Sequence, residues 1–424
     1  MEEYIVKAEK MVFGGNCLGK IDGKVIFIPN TIPEELLKIR IIKSKRDYDV
    51  AEIISILEPS PYRRNVECVH YEKCGGCNLL HIDSEYQKKL REKILKELFL
   101  KEKIDLDYIN IVSDSNLEYR CRMQIFDGGL KSKHSNNIVA INDCLCATPQ
   151  IRNWLKKTEY SKRKKGKQHI FADKRICIEN NTNQFFIAEN KPTSENQDNL
   201  VIGKTKRKIK NKVKKHFYGT LNSPETVCTV ELSIQHEESL IKKRISFDIR
   251  GFFQSNLFVL EKAISQIYKY ISNIPTNKKR ALDFYSGAGT FSVFLADFFE
   301  NITLVEHNRD ALVYAEQNLI KTKHTSYGVS GEFWVQQYAN KDILQNGNYD
   351  LVIIDPPRSG IEKPVIDFLC KSNIPRIISI SCDPATHARD CAILMKAGYK
   401  IKQMYLLDFY PNTSHIESMA FLEK

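Results

Sequence analysis

The sequence predicts an α/β protein in three parts. A small OB-like β-barrel opens the chain, a central α+β region follows, and a doubly wound, Rossmann-like sheet closes it. Three observations carry this expectation. Residues 1–58 are short apolar strands punctuated by glycine turns. From about residue 251, apolar strand cores alternate with helical stretches, the pattern of a parallel sheet. And 424 residues exceed what one ordinary core holds, so two or three domains are expected.

Within residues 1–58 the strand signals are Tyr4 to Glu9, Val25 to Ile28, Leu37 to Ile42 and Ala51 to Leu57, with turns at Gly14-Gly15 and Gly19 to Gly23. Pro59-Ser60-Pro61 breaks the chain and marks the first boundary. Residues 59–250 form the central domain, which starts with a cysteine-rich stretch from Cys68 to Cys77. Over residues 84–100 the apolar side chains Tyr86, Leu90, Ile94 and Leu98 recur every fourth position, which predicts a helix with that face on the core. In residues 251–424 the expected strand cores are Arg280 to Asp283, Ile302 to Glu306, Tyr349 to Asp355, Arg376 to Ser381 and Met419 to Leu422.

Composition narrows the partners. Net charge is +12 and the pI about 9.0, which favours a polyanion, nucleic acid first. The basic residues gather in Lys162 to Lys167 and in Lys204 to Lys215. A contact between the second run and phosphates would weaken steeply with salt. No apolar run reaches the roughly 18 residues of a spanning helix, so no membrane is expected. Met1-Glu-Glu-Tyr-Ile-Val carries no basic segment ahead of an apolar one. A cytoplasmic setting is therefore expected, with the twelve cysteines as reduced thiols or metal ligands.

Four motifs carry chemistry. Asp283-Phe-Tyr-Ser-Gly287-Ala-Gly289-Thr-Phe291 follows a strand and opens a helix, so its glycines let the backbone approach a ligand. Ser292 stands where a dinucleotide fingerprint wants its third glycine. Glu306 ends the next strand, where a carboxylate can take both hydroxyls of a ribose. This combination suits S-adenosylmethionine. Asp355-Pro-Pro-Arg358 ends a third strand and fixes Asp355 toward the cofactor crevice; an arginine in place of an aromatic residue after the prolines argues against methylation of an exocyclic amine.

Cys382, at the carboxyl tip of the strand Arg376 to Ser381, is a candidate nucleophile, since ligands sit beyond such strand ends. Glu417, just ahead of the last strand, is then a candidate general base. Cys68, Cys74 and Cys77 form a compact set of three thiols, with Cys144 or its rival Cys146 as a fourth. Three clustered cysteines and a distant one suit an iron–sulfur cluster better than zinc, which more often takes two paired sets. Cys17, Cys121, Cys177, Cys228, Cys370 and Cys391 are expected in packing roles.

Across nearly its whole length the chain resembles the bacterial uracil-C5 RNA methyltransferases, which make 5-methyluridine. Ser381-Cys382-Asp-Pro-Ala-Thr and His415-Ile-Glu417-Ser-Met match the family's nucleophile and base signatures. The resemblance implies a TRAM domain at residues 1–58 and a [4Fe–4S] cluster on Cys68, Cys74, Cys77 and Cys144. It implies cofactor contacts at Gln254 (from Phe253-Gln254-Ser-Asn256), Tyr285, Gly287, Gly289, Thr290, Glu306 and Asp355. It also implies a mechanism in which Cys382 adds to C6 of uracil and Glu417 removes the C5 proton. Three departures are Ser286 for a frequent cysteine, Thr290 for a frequent asparagine, and Asp383 for the usual asparagine. The expected substrate is RNA rather than DNA, with 23S ribosomal RNA ahead of tRNA and a monomeric enzyme. The alternative is a non-catalytic ribosome-assembly factor that binds RNA.

Overall fold

A computed structural model describes residues 3–133, 135–177, 184–189, 226–275 and 278–424. The lysine run Lys204 to Lys215, expected to contact phosphates, lies outside the described residues.

The chain opens with β1 (Glu3–Lys7), β2 (Lys10–Met11), β3 (Cys17–Ile21), β4 (Lys24–Ile28), β5 (Leu36–Ser44) and β6 (Tyr48–Glu58). They make one sheet in the order β1-β5-β6-β4-β3-β2. Alternation along β5 buries Leu37 and Ile39 while Lys38 and Arg40 remain partly exposed. Buried Glu35 fastens this unit to the next segment. It accepts hydrogen bonds from Arg63 Nε at 2.5 Å and Nη2 at 2.7 Å, and from the amides of Ile32 and Ser60.

The expected helix spans Ser84–Lys101, and the Asp83 carboxylate caps it by accepting from Glu85 N and Tyr86 N, both at 3.0 Å. Its buried face differs from the four-residue stripe. Leu90 and Ile94 are buried as expected, but so are Gln87, Arg91, Leu95 and Phe99, whereas Tyr86 and Leu98 are only partly covered. Two polar interactions turn the helix this way. Arg91 pairs with Asp408 at 2.9 Å, and Gln87 bonds to Asn412. Tyr86 instead stacks on Tyr62, with ring centroids 3.8 Å apart.

The central region contains β7 (Asn110–Val112), β8 (Arg122–Phe126), β9 (Leu130–Lys131), β10 (Ile138–Val139), β11 (Lys167–Ala172) and β12 (Phe185–Glu189). A hairpin of β13 (Val227–His236) and β14 (Ser239–Asp248) follows. In the basic run Lys162 to Lys167, Arg163 is buried and donates to the carbonyls of Gly128, Ile141, Leu155 and Thr158. That arginine braces the fold, because a buried guanidinium must fill its donors.

The C-terminal sheet has eight strands in the order β17-β16-β15-β18-β19-β21-β20-β7. They are β15 (Arg280–Phe284), β16 (Asn301–Val305), β17 (His324–Tyr327), β18 (Leu351–Ile354), β19 (Arg376–Ser381), β20 (Lys400–Leu407) and β21 (Glu417–Glu423), with β7 added at the edge. Strands β15 to β19 run parallel, and β21 runs antiparallel to both β19 and β20. Strands β15 and β18 are buried along their full length, as expected of a sheet covered on both faces. No described helix is long and apolar enough to cross a membrane.

Candidate active site

The parallel strands end at one rim, and the candidate residues stand there in sheet order. Glu306 follows β16, Tyr285 follows β15, Asp355 follows β18, Cys382 follows β19 and Glu417 begins β21. The rim is the carboxyl edge, where open α/β sheets bind ligands.

The glycine loop is built around Glu306. Its carboxylate accepts from Gly287 N at 3.0 Å and from Asn308 N at 2.6 Å, so the loop and the acid hold one another. Tyr285 adopts φ 62° and Gly287 φ 54°, so the chain turns sharply out of β15. Gly289 is also left-handed, at φ 76°, and a Cβ there would lie 3.2 Å from the Ala315 Cα. Thr290 sits partly buried in the turn just before the following helix. Ser292 donates to Asp283 at 2.5 Å, which gives the residue in the third-glycine place a structural role. Burial pushes the Asp283 carboxyl up to about 8. Gln254 is buried, and its side-chain oxygen has no hydrogen-bond partner among the described residues. Such an atom suits a ligand's donor.

The thiol and the carboxyl are brought together by strand register. Ser381 lies opposite Ser418 in the antiparallel β19–β21 pair, so Cys382 and Glu417 occupy the adjoining strand ends. Cys382 is partly exposed; burial, with Glu417 and Asp355 nearby, pushes its thiol up to about 11. Glu417 is 7% exposed, and burial with Asp355 beside it pushes its carboxyl up to about 8. Burial alone raises Asp355 to about 7. The Arg358 guanidinium opposes the rise at both Cys382 and Glu417, and it lies 3.5 Å from the His415 ring nitrogen. Carboxyls raised toward neutrality at a strand rim suit general acid–base chemistry, while the raised Cys382 thiol must lose its proton before it can attack.

Asp383, the departure after the nucleophile, caps the helix Pro384–Lys396 by accepting from Ala385 N and Thr386 N. Either asparagine or aspartate can do this. On the same helix, buried His387 meets the Ser418 hydroxyl at 2.7 Å, next to Glu417. Sequence patterns gave no sign of that contact, because it joins residues 31 positions apart.

The cysteines gather elsewhere in the central region. Cys68, Cys74, Cys77, Cys144 and Cys146 all line one cavity of about 190 Å³. Cys77 and Cys146 approach to 3.7 Å, and Gly76 N donates to Cys74 Sγ at 3.4 Å. The contact with Cys77, helped by Asn412 and Arg120, pulls the Cys146 thiol down to about 7, while burial raises Cys144 to about 12. Among the described residues no three or more His, Cys, Asp or Glu side chains are grouped as a single metal ion requires. All twelve cysteines are free. Of those expected in packing roles, Cys17, Cys121, Cys228 and Cys391 are buried, and Cys177 and Cys370 are partly so.

Comparison with known proteins identifies the family. The family described as tRNA (Uracil-5-)-methyltransferase matches residues 228–424, and the TRAM domain matches residues 2–54. A relative in Treponema denticola, named an uncharacterized RNA methyltransferase, is 34% identical over 462 residues, covering 100% of both chains. The 23S rRNA (uracil(1939)-C(5))-methyltransferase RlmD of Vibrio parahaemolyticus is 27% identical, over 99% of this chain and 95% of its own. In fold, the chain is similar to the Pyrococcus abyssi tRNA (uracil-54, C5)-methyltransferase, solved with S-adenosyl-L-homocysteine. The TM-score is 0.64 at 19% identity, covering 98% of this chain and 100% of that one. A relative one-third identical from end to end, with the family's pattern over residues 228–424, leaves a single conclusion: the chain belongs to the tRNA (uracil-5-)-methyltransferase family and carries an N-terminal TRAM domain.

Proposed function

We propose that this protein methylates carbon 5 of a uridine in RNA, with S-adenosylmethionine as donor, Cys382 as nucleophile and Glu417 as base. The observation that carries the reading is the β19–β21 register, which sets a thiol and a proton-poised carboxyl on adjoining strand ends. Uracil C5 is a weak nucleophile. Attack of the Cys382 thiolate on C6 forms a C–S bond and moves the ring's electron pair toward C5. Bound S-adenosylmethionine supplies an electrophilic methyl group, to which C5 would bond with that electron pair as the methyl–sulfonium bond breaks and S-adenosylhomocysteine leaves. Glu417 then takes the C5 proton, the electron pair re-forms the C5–C6 double bond, and the C–S bond breaks. Water outside the site receives the proton from Glu417.

Gln254, Tyr285, Gly287, Gly289, Thr290, Glu306 and Asp355 are the residues assigned to cofactor binding. The unpartnered Gln254 oxygen and the Glu306-braced loop support that assignment. A stacked uridine hides its face, so the base must leave the helix, at a cost of a few kcal/mol. The net charge of +12 and the TRAM domain supply the backbone contacts that hold RNA meanwhile. The proposed target is 23S ribosomal RNA, a reading supported by the named activity of the Vibrio relative.

The cysteine cavity is proposed to hold a [4Fe–4S] cluster on Cys68, Cys74, Cys77 and Cys144. Thiols spread around a cavity suit a polynuclear cluster, whereas zinc needs four ligands converging on one point. The partly buried Arg120 guanidinium on the cavity wall would offset thiolate charge. The cluster would supply structural cross-linking of these segments, and no bond of the methyl transfer is made or broken on it.

The test uses RNA tritiated at uracil C5. The wild-type protein with S-adenosylmethionine should release tritium to water, and Cys382→Ala should release none. Glu417→Gln should hold the RNA as a covalent adduct. Undiminished release by Cys382→Ala would refute the mechanism. Mass spectrometry of ribosomal and transfer RNA from cells lacking the protein assigns the target.

A further inference from the structure

We propose that Asn412 is a positioning residue that fastens the loop leading into Glu417 to the cysteine-bearing segments, so that the cysteine site sets the geometry of proton removal at C5. The proposal rests on the reading of Glu417 as base. It gives the cysteine site a place in the reaction that is neither RNA binding nor electron transfer.

Residues 408–416 connect β20 to β21 and run straight into Glu417. Asn412 lies in the middle of that loop, 0% exposed, in the left-handed region at φ 65°. Every polar atom it has is used. Its Nδ2 donates to the Asn116 carbonyl at 2.7 Å and to Cys146 Sγ at 3.7 Å. Its Oδ1 accepts from Arg64 Nη2 at 2.9 Å and Gln87 Nε2 at 3.1 Å. Its amide donates to Gln87 Oε1 at 2.9 Å, and its carbonyl accepts from the amides of Asn78 and Leu79 at 3.2 and 3.0 Å.

All these partners come from residues 59–250, and none from the catalytic sheet. Asn78 and Leu79 directly follow Cys77, and Cys146 is itself on the cavity wall. The neighbours of Asn412 repeat the pattern. Asn78 exchanges two bonds with Ser414, at 2.8 and 2.9 Å, and the Tyr119 hydroxyl donates to the Pro411 carbonyl at 2.9 Å. The loop is thus moored at residues 411, 412 and 414 to the segments around Cys77 and Cys146. A shift of those segments must move the loop or break buried hydrogen bonds, and breaking them leaves unsatisfied groups. Five residues farther on, the loop delivers the carboxyl of Glu417.

The kinetic signature is specific, because Glu417 acts only after the C–S bond has formed. Asn412→Gly keeps the positive φ and deletes the side-chain bonds. With C5-tritiated RNA in single turnover, adduct formation should stay within about threefold of wild type, while tritium release slows by roughly tenfold or more. The methylated Cys382–RNA adduct should then accumulate on denaturing gels. Gln87→Leu, which removes two of the seven Asn412 bonds together with the Gln87 bonds to the Leu79 and Ile82 carbonyls and replaces no cysteine, should show the same split and carries the test if the glycine variant does not fold. Wild-type protein stripped by an iron chelator, followed by loss of visible absorbance, should also accumulate adduct. Stripping should add little to the defect of Asn412→Gly, because both act through one connection. Equal slowing of adduct formation and tritium release, or additive effects of stripping and substitution, would overturn the proposal. A wild-type protein forming no adduct and releasing no tritium would instead refute the functional reading itself.

Discussion

Ser381 and Ser418 face each other at the last rung of the β19–β21 ladder, and this pairing decides where the reactive groups stand. One residue beyond it, the parallel strand offers Cys382 and the antiparallel strand offers Glu417. An antiparallel neighbour is what makes this possible: the start of β21 lies beside the end of β19, so a nucleophile from a strand end and a base from a strand start share one rim.

The rate should rise with pH. Glu417 must be ionised to act as base and Cys382 must be ionised to attack, yet their environments push them up to about 8 and about 11. The value of kcat/KM should therefore climb between pH 6 and pH 9 with no plateau near neutrality. Arg358→Leu, which removes the charge opposing both shifts, should displace the profile toward alkaline pH by up to about one unit. A flat profile from pH 6 to pH 9 would contradict both assignments.

Glu417 should also leave a mark on stability. Its carboxyl holds its proton up to about 8 in the folded state, against about 4.3 in an unfolded chain. Between those values the folded state binds more protons, so this residue's contribution falls as pH rises and its full cost is present above 8. Glu417→Gln should gain on wild type as the pH rises from 5 to 8.5, by several kcal/mol if the whole shift is realised, at about 1.4 kcal/mol per pKa unit. Urea denaturation at the two pH values measures the difference, and an equal effect at both would contradict the shift.

The Arg91–Asp408 pair joins the helix Ser84–Lys101 to the residue directly after β20, with both side chains 3% exposed. Removing one partner strands a buried charge. Arg91→Met should cost about 3 kcal/mol, and Arg91→Met combined with Asp408→Leu considerably less than the sum of the two single changes. Chemical denaturation of the four proteins gives the coupling; strict additivity would show that the two groups do not depend on each other.

Residues at strand ends were legible in the sequence because local patterns reveal where an apolar run stops. Glu306, Asp355 and Cys382 each follow such a run, and the structure sets all three at one rim. The clustering of Cys68, Cys74 and Cys77 was legible from spacing, and the structure adds both Cys144 and Cys146 to the same cavity. What escaped depends on partners far away in the chain. The contact of His387 with Ser418, the seven bonds of Asn412 and the wall position of Arg120 have no periodicity to announce them. The buried face of Ser84–Lys101 was misjudged for the same reason, since Gln87 and Arg91 look solvent-seeking until Asn412 and Asp408 are known to meet them.

The edge strand β7 has one more consequence. It pairs in parallel with β20 through Asn110–Val112, although nearly 300 residues separate the two in the chain. A fragment cut to begin at residue 228 would therefore leave β20 with a naked row of amides and carbonyls, an invitation to self-association. Excised alone, the enzyme's reactive half would carry an edge that the whole chain covers. Ribosomes translating this protein make the β7 segment early, and it must wait for β20 to emerge before its ladder can close.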